Sequence, residues 1–183
     1  MAFSTSRLMR LTVRDMLAQQ YTTMNQVDLD AAVSSTSTTV KCALYDNGVT
    51  PDFDAATTLS TYGGASSTWV STGSAVGATT GSTPGQVYHT GQWAQGVLFL
   101  PSPVVSNTVS GTVTFGCGPI VSGASTTMSG IYGMILYFST ATSGGQTAPV
   151  LGYWAFGAGS PYSVTSGTLT ITNNVSGLFT LTV

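Results

Sequence analysis

Short segments rich in β-branched and aromatic residues follow one another along most of this chain, and clusters of Gly, Ser, Pro and Asn separate them. Closely spaced strands with few helices between them are typical of a β-sandwich or a β-barrel. The sequence therefore predicts a mainly β fold, an antiparallel β-sandwich or barrel of jelly-roll-like type with a short N-terminal helix. The predicted strands are 39–45, 67–72, 86–90, 96–100, 108–115, 131–138, 150–156, 167–172 and 177–183.

The last two predicted strands carry the clearest period-2 pattern. Threonines alternate with apolar residues in Thr168–Thr172 and in Phe179–Val183, and residues 173–177 form a connecting segment rich in turn residues. This arrangement predicts a hairpin with one face in the core and a threonine face outside. Residues 131–138 and 150–156 do not alternate cleanly, which indicates central strands covered on both faces or strands at a subunit interface.

Helical patterns are confined to the first third of the chain. Residues 4–20 combine possible Ser caps with apolar residues at near-helical spacing and contain no Gly or Pro, so they predict a helix. Shorter helical segments are predicted over 27–33 and 50–59. We therefore divide the chain into an N-terminal helical arm, residues 1–35, and a single β domain, residues 38–183.

Charge is distributed very unevenly. All four Lys+Arg and all six Asp lie within the first 54 residues, Glu is absent, and charged residues make up 5% of the chain, against roughly 25% in an ordinary soluble domain. Acid–base, nucleophilic and metal chemistry depend on titratable side chains, and phosphate binding depends on clustered cations. We therefore expect a protein that is not an enzyme and that uses no metal, cofactor or nucleic acid.

The sequence predicts neither a membrane-spanning segment nor a secretion signal. Its longest apolar run, 131–138, is far shorter than the 18 or more residues of a membrane span, and Arg7, Arg10 and Arg14 interrupt the apolar residues at the N-terminus. We expect no membrane association and synthesis in the cytoplasm. Cys42 and Cys117 have no metal or redox spacing, so reduced, partly buried thiols are expected.

Three short patterns imitate functional motifs. Asp46, Asp52 and Asp54 could imitate a calcium loop, but no Glu closes it, and turn and cap carboxylates are the expected interpretation. His89 is the only histidine and no serine lies in a G-x-S-x-G elbow, so it is expected to be a satisfied or surface histidine. Residues 116–119, Gly-Cys-Gly-Pro, predict a turn or bulge and not a dinucleotide fingerprint.

Two groups of residues are candidates for partner contacts. Arg7, Arg10 and Arg14 could form a basic stripe on the first helix that docks on an acidic partner, the alternative being a solvated helix face. Trp69 and Trp93 could be exposed aromatic contacts, the alternative being core packing.

Two blocks of sequence resemble a family of tailed-bacteriophage virion structural proteins. They are VKCALYDNGVTPDFDAATTLSTYGG at 40–64 and PYSVTSGTLTITNNVSGLFTLTV at 161–183. The chain departs from the family pattern at Asn173-Asn174, where the family has Trp-Asp, and in an inserted Ser/Thr/Gly-rich stretch at 66–85. The resemblance therefore supports a place for these blocks in the core of the fold more strongly than it supports any role for their surface residues.

The resemblance implies a capsid decoration, or head-stabilising, protein that binds the outer surface of the major capsid lattice. Its expected partners are the major capsid protein and copies of itself, as a homotrimer or another symmetric oligomer. Its expected location is the virion surface after synthesis in the host cytoplasm, with residues 1–35 as the anchor. The alternatives are a tail or fibre subunit and a carbohydrate or host-surface binding module.

Overall fold

A computed structural model describes most of the β domain and a short N-terminal segment. The described residues are 6–10, 12–13, 40–48, 62, 85–89, 93, 98–108, 111–139, 142–143, 146–157, 161–173 and 177–182. Within them the fold is mainly β, as predicted, and every strand pair is antiparallel. The strands are β1 (Arg7–Leu8), β2 (Val40–Tyr45), β3 (Gln86–Val87), β4 (Leu98–Phe99), β5 (Val104–Thr108), β6 (Thr112–Gly116), β7 (Ile120–Val121), β8 (Thr126–Ile131), β9 (Gly133–Phe138), β10 (Thr142–Ser143), β11 (Gln146–Thr147), β12 (Val150–Ala155), β13 (Tyr162–Gly167), β14 (Thr170–Ile171) and β15 (Phe179–Thr182).

The largest sheet, which we call the main sheet, has the strand order β1-β12-β9-β2-β3, and β4 also pairs with β2. Its centre is the β2–β9 pair, which runs in unbroken register from Val40 opposite Phe138 to Tyr45 opposite Gly133. Both strands are rich in the apolar, aromatic and β-branched side chains that fit a covered sheet. The central position predicted for 131–138 is therefore confirmed.

Apolar clusters cover both faces of the main sheet. Alternate residues of β9 divide between them, with Met134 and Leu136 on one face and Ile135 and Tyr137 on the other. The first face belongs to a large cluster that also includes Phe115 from β6. Because both faces are buried, all six residues of β9 are buried and the strand shows no polar alternation.

The strands after β4 pair in a nested order around the β10–β11 pair. β9 pairs with β12, β8 with β13, β7 with β14 and β6 with β15. The described strands from β6 to β15 therefore pair as the two sides of one nested, double-stranded ribbon. β5 extends it at β6 to give the three-stranded sheet β15-β6-β5.

This nesting overturns two local predictions. Residues 168–183 do not form a hairpin, because β14 pairs with β7, about 50 residues earlier in the chain, and β15 pairs with β6, about 64–70 residues earlier. Residues 108–115 are not one strand, because β5 ends at Thr108 and β6 begins at Thr112, with Gly111 at a φ of 73° between them. A residue in this left-handed region favours glycine and turns the chain back.

The N-terminal segment begins as a strand and not as a helix. Arg7–Leu8 forms β1, although a helix over 4–20 was predicted. The edge of β12 offers this segment backbone partners, and the resulting ladder outweighs its local helical propensity. Val13 N–H does donate to the Met9 carbonyl at 3.1 Å with helical spacing. Residues 14–20 and the predicted elements at 27–33, 50–59 and 67–72 lie outside the described residues.

Candidate interaction surfaces

The N-terminal segment is held on the edge of β12 by backbone and side-chain hydrogen bonds. Arg7 lies opposite Tyr153 and Leu8 opposite Gly152. Met9 N–H donates to the Leu151 carbonyl at 2.9 Å. This segment therefore extends the main sheet beyond the two residues of β1.

Side chains continue the same contact at both ends of β1. The Ser6 hydroxyl accepts a hydrogen bond from Ala155 N–H at 3.0 Å, and the Thr12 hydroxyl donates to the Val150 carbonyl. Met9 and Thr12 are almost completely buried. We call residues 6–10 and 12–13, together with the β12 edge that they cover, the N-terminal seat.

Gly152 provides the room for this contact. A Cβ atom at position 152 would lie 2.6 Å from the Arg7 carbonyl oxygen and 3.0 Å from Leu8 Cα. Both neighbours are backbone atoms, so no side-chain rotation could relieve the overlap. A glycine inside an otherwise apolar strand is a signal for close backbone approach, but it does not identify the segment that approaches.

The structure describes two of the three arginines of the predicted basic stripe. The Arg7 and Arg10 side chains are exposed, whereas Leu8 and Met9 between them pack inward. Arg14 lies outside the described residues. The structure therefore places two of the three arginines beside the N-terminal seat, at an edge of the main sheet.

Trp93 is fully buried, so the expectation of a surface contact there is wrong. It belongs to the large core cluster, and its backbone exchanges hydrogen bonds with His89 at 2.8 and 2.9 Å. Thr127 N–H donates to His89 Nδ1 at 3.2 Å, which gives the histidine a structural role, as one of its two predicted interpretations states. Trp69 lies outside the described residues.

Two neighbouring clefts border the three-stranded sheet, and the larger one also reaches the end of β12. Their volumes are about 460 and 380 Å³, and Thr172, Asn173 and Gly177 line both. Trp154 borders the larger cleft, and its indole N–H donates to the Leu178 carbonyl at 2.6 Å. The described residues that line the clefts are uncharged, and they offer hydroxyl, amide and aromatic groups together with the Cys117 thiol.

Asn173, which replaces the tryptophan of the resembled family, stabilises the predicted turn at 116–119. Its Nδ2 donates to the Cys117 carbonyl at 2.5 Å. Burial raises the pKa of the Cys117 thiol, and the hydrogen bond to Asn173 partly offsets this. The predicted turn is confirmed, since the chain bends at Gly118 between β6 and β7, and Gly118 N–H donates to the Pro101 carbonyl at 2.6 Å.

Cys42 is fully buried and Cys117 is half-buried, and both are free thiols. Burial raises the pKa of Cys42 strongly, and the nearby Cys117 adds to this. The thiol form, not the reactive thiolate, is therefore favoured at both positions.

A buried tyrosine cluster occupies the second face of the main sheet. The Tyr62 and Tyr137 rings stack with centroids 3.8 Å apart, and Gln86 Nε2 donates to the Tyr62 hydroxyl at 3.0 Å. Burial raises the pKa of Tyr62 to about 12, and it also raises the pKa values of Tyr45 and Tyr137. These phenols are neutral, structural groups at physiological pH.

Asp46 is a turn carboxylate, as expected, since it directly precedes the turn at Asn47-Gly48. Asp46 Oδ1 accepts a hydrogen bond from Gly48 N–H at 2.6 Å, and burial raises the pKa of the carboxyl. Asp52 and Asp54 lie outside the described residues. Within the described part of the chain, no group of three or more His, Cys, Asp or Glu side chains could hold a metal ion, and no helix is long and apolar enough to cross a membrane.

β13 presents the most exposed surface of the described fold. None of its six residues is buried. Tyr162 is 55% exposed, and its ring packs edge-on against Phe156 with centroids 6.1 Å apart. Sequence reasoning did not predict Tyr162–Gly167 as a strand, because its Ser and Gly residues give only a weak β signal.

Compared with models of known protein families, with curated proteins and with solved structures, the chain gives no significant match in any of the three.

Proposed function

We propose that this protein is a non-enzymatic structural protein of a tailed-bacteriophage particle. In this proposal it decorates the capsid by binding the outer surface of the major capsid lattice. The resemblance of residues 40–64 and 161–183 to virion structural proteins supports the assignment. The described parts of these blocks form the central strand β2 and the outer strands β13 to β15.

The observation that carries the proposal is the uncharged outer surface of the ribbon. Residues 55–183 contain no Lys, Arg, Asp or Glu, and β13 exposes Ser163, Thr165 and Ser166 together with the Tyr162 ring. A shell-binding protein works through extended complementary area, and burying an unpaired charge there would cost several kcal/mol. Hydroxyl-bearing strands provide such area without that cost.

The exposed arginines supply the second element of the proposal. Arg7 and Arg10 lie at one edge of the main sheet, next to the otherwise neutral body. Complementary charge at the rim of an interface speeds association and fixes its orientation. We assign these two side chains to contact an acidic patch of the capsid. The backbone of β1 already pairs with β12, so this contact uses the side chains.

The test measures binding to purified capsids that lack the protein. The Arg7→Gln/Arg10→Gln double variant should bind roughly tenfold more weakly at low salt, because each exposed charge contributes up to about 1 kcal/mol. The matched control is Lys41→Gln, which removes a charge from the interior strand β2 and should leave binding unchanged. Unchanged binding of the double variant would remove the arginines from the interface.

Cryo-electron microscopy of the phage particle tests the assignment itself. The expected density lies on the outer capsid surface in many copies that follow the capsid symmetry. Density confined to the tail, or only a few copies per particle, would replace the capsid assignment with a tail or fibre subunit.

A further inference from the structure

The N-terminal seat has the properties of a strand-acceptor site. The hydrogen bonds of Ser6, Met9 and Thr12 described above all reach β12, and Met9 fills a place in the apolar cluster on the second face of the main sheet. Without residues 6–13, β12 would present an open strand edge and a gap in that cluster. Exposed edges of this kind promote pairing with other chains and are normally covered.

The seat is shaped for one particular strand. Gly152 admits the backbone of Arg7 and Leu8 at distances that no other residue would allow. In the inserted strand, the Arg7 side chain is exposed, Leu8 packs against the large core cluster, and Met9 belongs to the cluster on the second face of the main sheet. The inserted strand therefore needs exposed and apolar residues in a fixed order. This specificity favours the N-terminal segment of this chain over an arbitrary edge strand.

We propose that the β12 edge is a strand-acceptor site and that, in the assembled protein, it is filled by residues 6–13 of a second copy of this chain. Exchange of an identical element preserves every contact of the seat, so it adds subunit linkage without losing stability in the individual subunit. The proposal concerns copies of this chain alone and does not depend on capsid binding.

The length of the connecting sequence permits this exchange. Residues 14–39 separate the seat from β2, which is 26 residues. A chain of that length can span up to about 90 Å, whereas a domain of this size has a radius of gyration of roughly 16 Å. The segment can therefore reach the β12 edge of an adjacent copy from any side.

The seat also joins parts of the sequence that are far apart. Arg7 pairs with Tyr153, so the strand that it joins is one of the last to be synthesised. The seat of a given chain is empty until β12 has folded, and the N-terminal segment of a neighbouring chain competes for it once the local chain concentration reaches the effective concentration of the tethered segment. In a closed symmetric oligomer each copy would then donate one strand and accept one.

The experiment uses full-length chains with isotopically light and heavy labels. The photo-crosslinking residue p-benzoylphenylalanine replaces Arg7, whose exposed side chain lies opposite Tyr153. Light and heavy chains are unfolded, mixed in equal amounts, refolded together and irradiated, and crosslinked peptides are identified by mass spectrometry. Exchange predicts that about half of the crosslinks between the N-terminal and β12 peptides combine a light with a heavy peptide. Crosslinks that always join peptides of the same label would overturn the proposal.

Two controls separate strand exchange from random contact. Light and heavy chains folded separately and mixed just before irradiation should give no mixed pairs.

In the co-refolded sample, Gly152→Ala should lower the yield of mixed pairs roughly tenfold, because overpacking against the Arg7 carbonyl costs about 1–3 kcal/mol. Gly116→Ala is the matched variant, since its Cβ would have only ordinary contacts, the nearest at 3.7 Å, and it should keep the native yield. Equal yields from the two variants would show that the crosslinks do not report the seat.

Discussion

The strands β9 and β13 have the same length and opposite environments. β9, with the sequence GMILYF, is buried at all six positions, whereas β13, with the sequence YSVTSG, has four exposed and two half-buried residues. β9 lies at the centre of the main sheet, whereas among the described strands β13 pairs with β8 alone. The side chains of β9 are therefore covered on both faces, while β13 contributes Val164 to the large apolar cluster and leaves most of its other side chains exposed.

This difference explains how a chain with so few charged side chains specifies both buried and exposed strands. Strands covered on both faces are specified by continuous apolar sequence, and an exposed strand needs polar groups on its outer face. Here Ser and Thr hydroxyls take the place that charged side chains usually occupy. The division into a stable interior sheet and a hydroxyl-rich exterior can be tested by comparing equivalent changes in the two regions.

The largest effect is expected from truncating a leucine in β9. Leu136→Ala should lower the free energy of unfolding by about 2–5 kcal/mol, because it leaves a cavity at a fully buried position. Leu169→Ala makes the same chemical change at a half-buried position after β13 and should cost less than half as much. Urea denaturation of both variants measures the difference. Equal losses would mean that the outer strands contribute as much packing as the main sheet.

The second-largest effect is expected at high pH, which should lower the free energy of unfolding through the main sheet. Burial raises the pKa of Tyr62 from 10.0 to about 12, and the pKa values of Tyr45 and Tyr137 change in the same direction. A raised pKa in the folded state means that this stability is complete below pH 10 and is lost as the pH rises towards 12, because the unfolded chain releases the protons first. For Tyr62 the loss is at most about 2–3 kcal/mol, since each tenfold change in an acid dissociation constant corresponds to about 1.4 kcal/mol.

The measurement is the free energy of unfolding of the native chain and of Tyr62→Phe across that pH interval. The phenylalanine variant retains the ring that stacks on Tyr137 but has no hydroxyl to titrate, so its stability should fall less steeply. A matched variant, Tyr162→Phe, makes the same chemical change at the exposed ring on β13 and controls for the loss of a tyrosine hydroxyl. Parallel curves for all three proteins would refute the assignment of alkaline sensitivity to the buried cluster.

The comparison of β9 with β13 also shows what the sequence could predict. Apolar runs identified β9 and β12, and β-branched content with alternation identified β2, each to within about two residues. β13 was missed because YSVTSG resembles a loop. The partners predicted for β14 and β15 are wrong. Their observed partners, β7 and β6, are far away in the sequence, and no local pattern encodes such long-range pairing.

The candidate surfaces were predictable to a smaller extent. Arg7 and Arg10 were identified from charge alone and are exposed, but the sequence placed them on a helix, whereas Arg7 lies in a strand. Trp93 was offered as a surface residue and is buried, since a large aromatic ring carries the same signal in a core as on a surface. The position of β1 depends on Gly152, nearly 150 residues away, so it could only be recognised once the sheet was assembled.

The smallest effect is expected at the exposed face of β13. Tyr162→Ser should change the free energy of unfolding by about 1 kcal/mol or less, because the ring is 55% exposed and its described ring contact is the edge-on packing with Phe156. If the exterior is the contact surface of the assembled protein, the same variant should reduce association with capsids by more than it reduces stability. Urea denaturation and capsid binding, measured on the same preparation, separate the two effects. A loss of stability as large as that of Leu136→Ala would place Tyr162 in the structural core and remove the basis for treating β13 as an exterior surface.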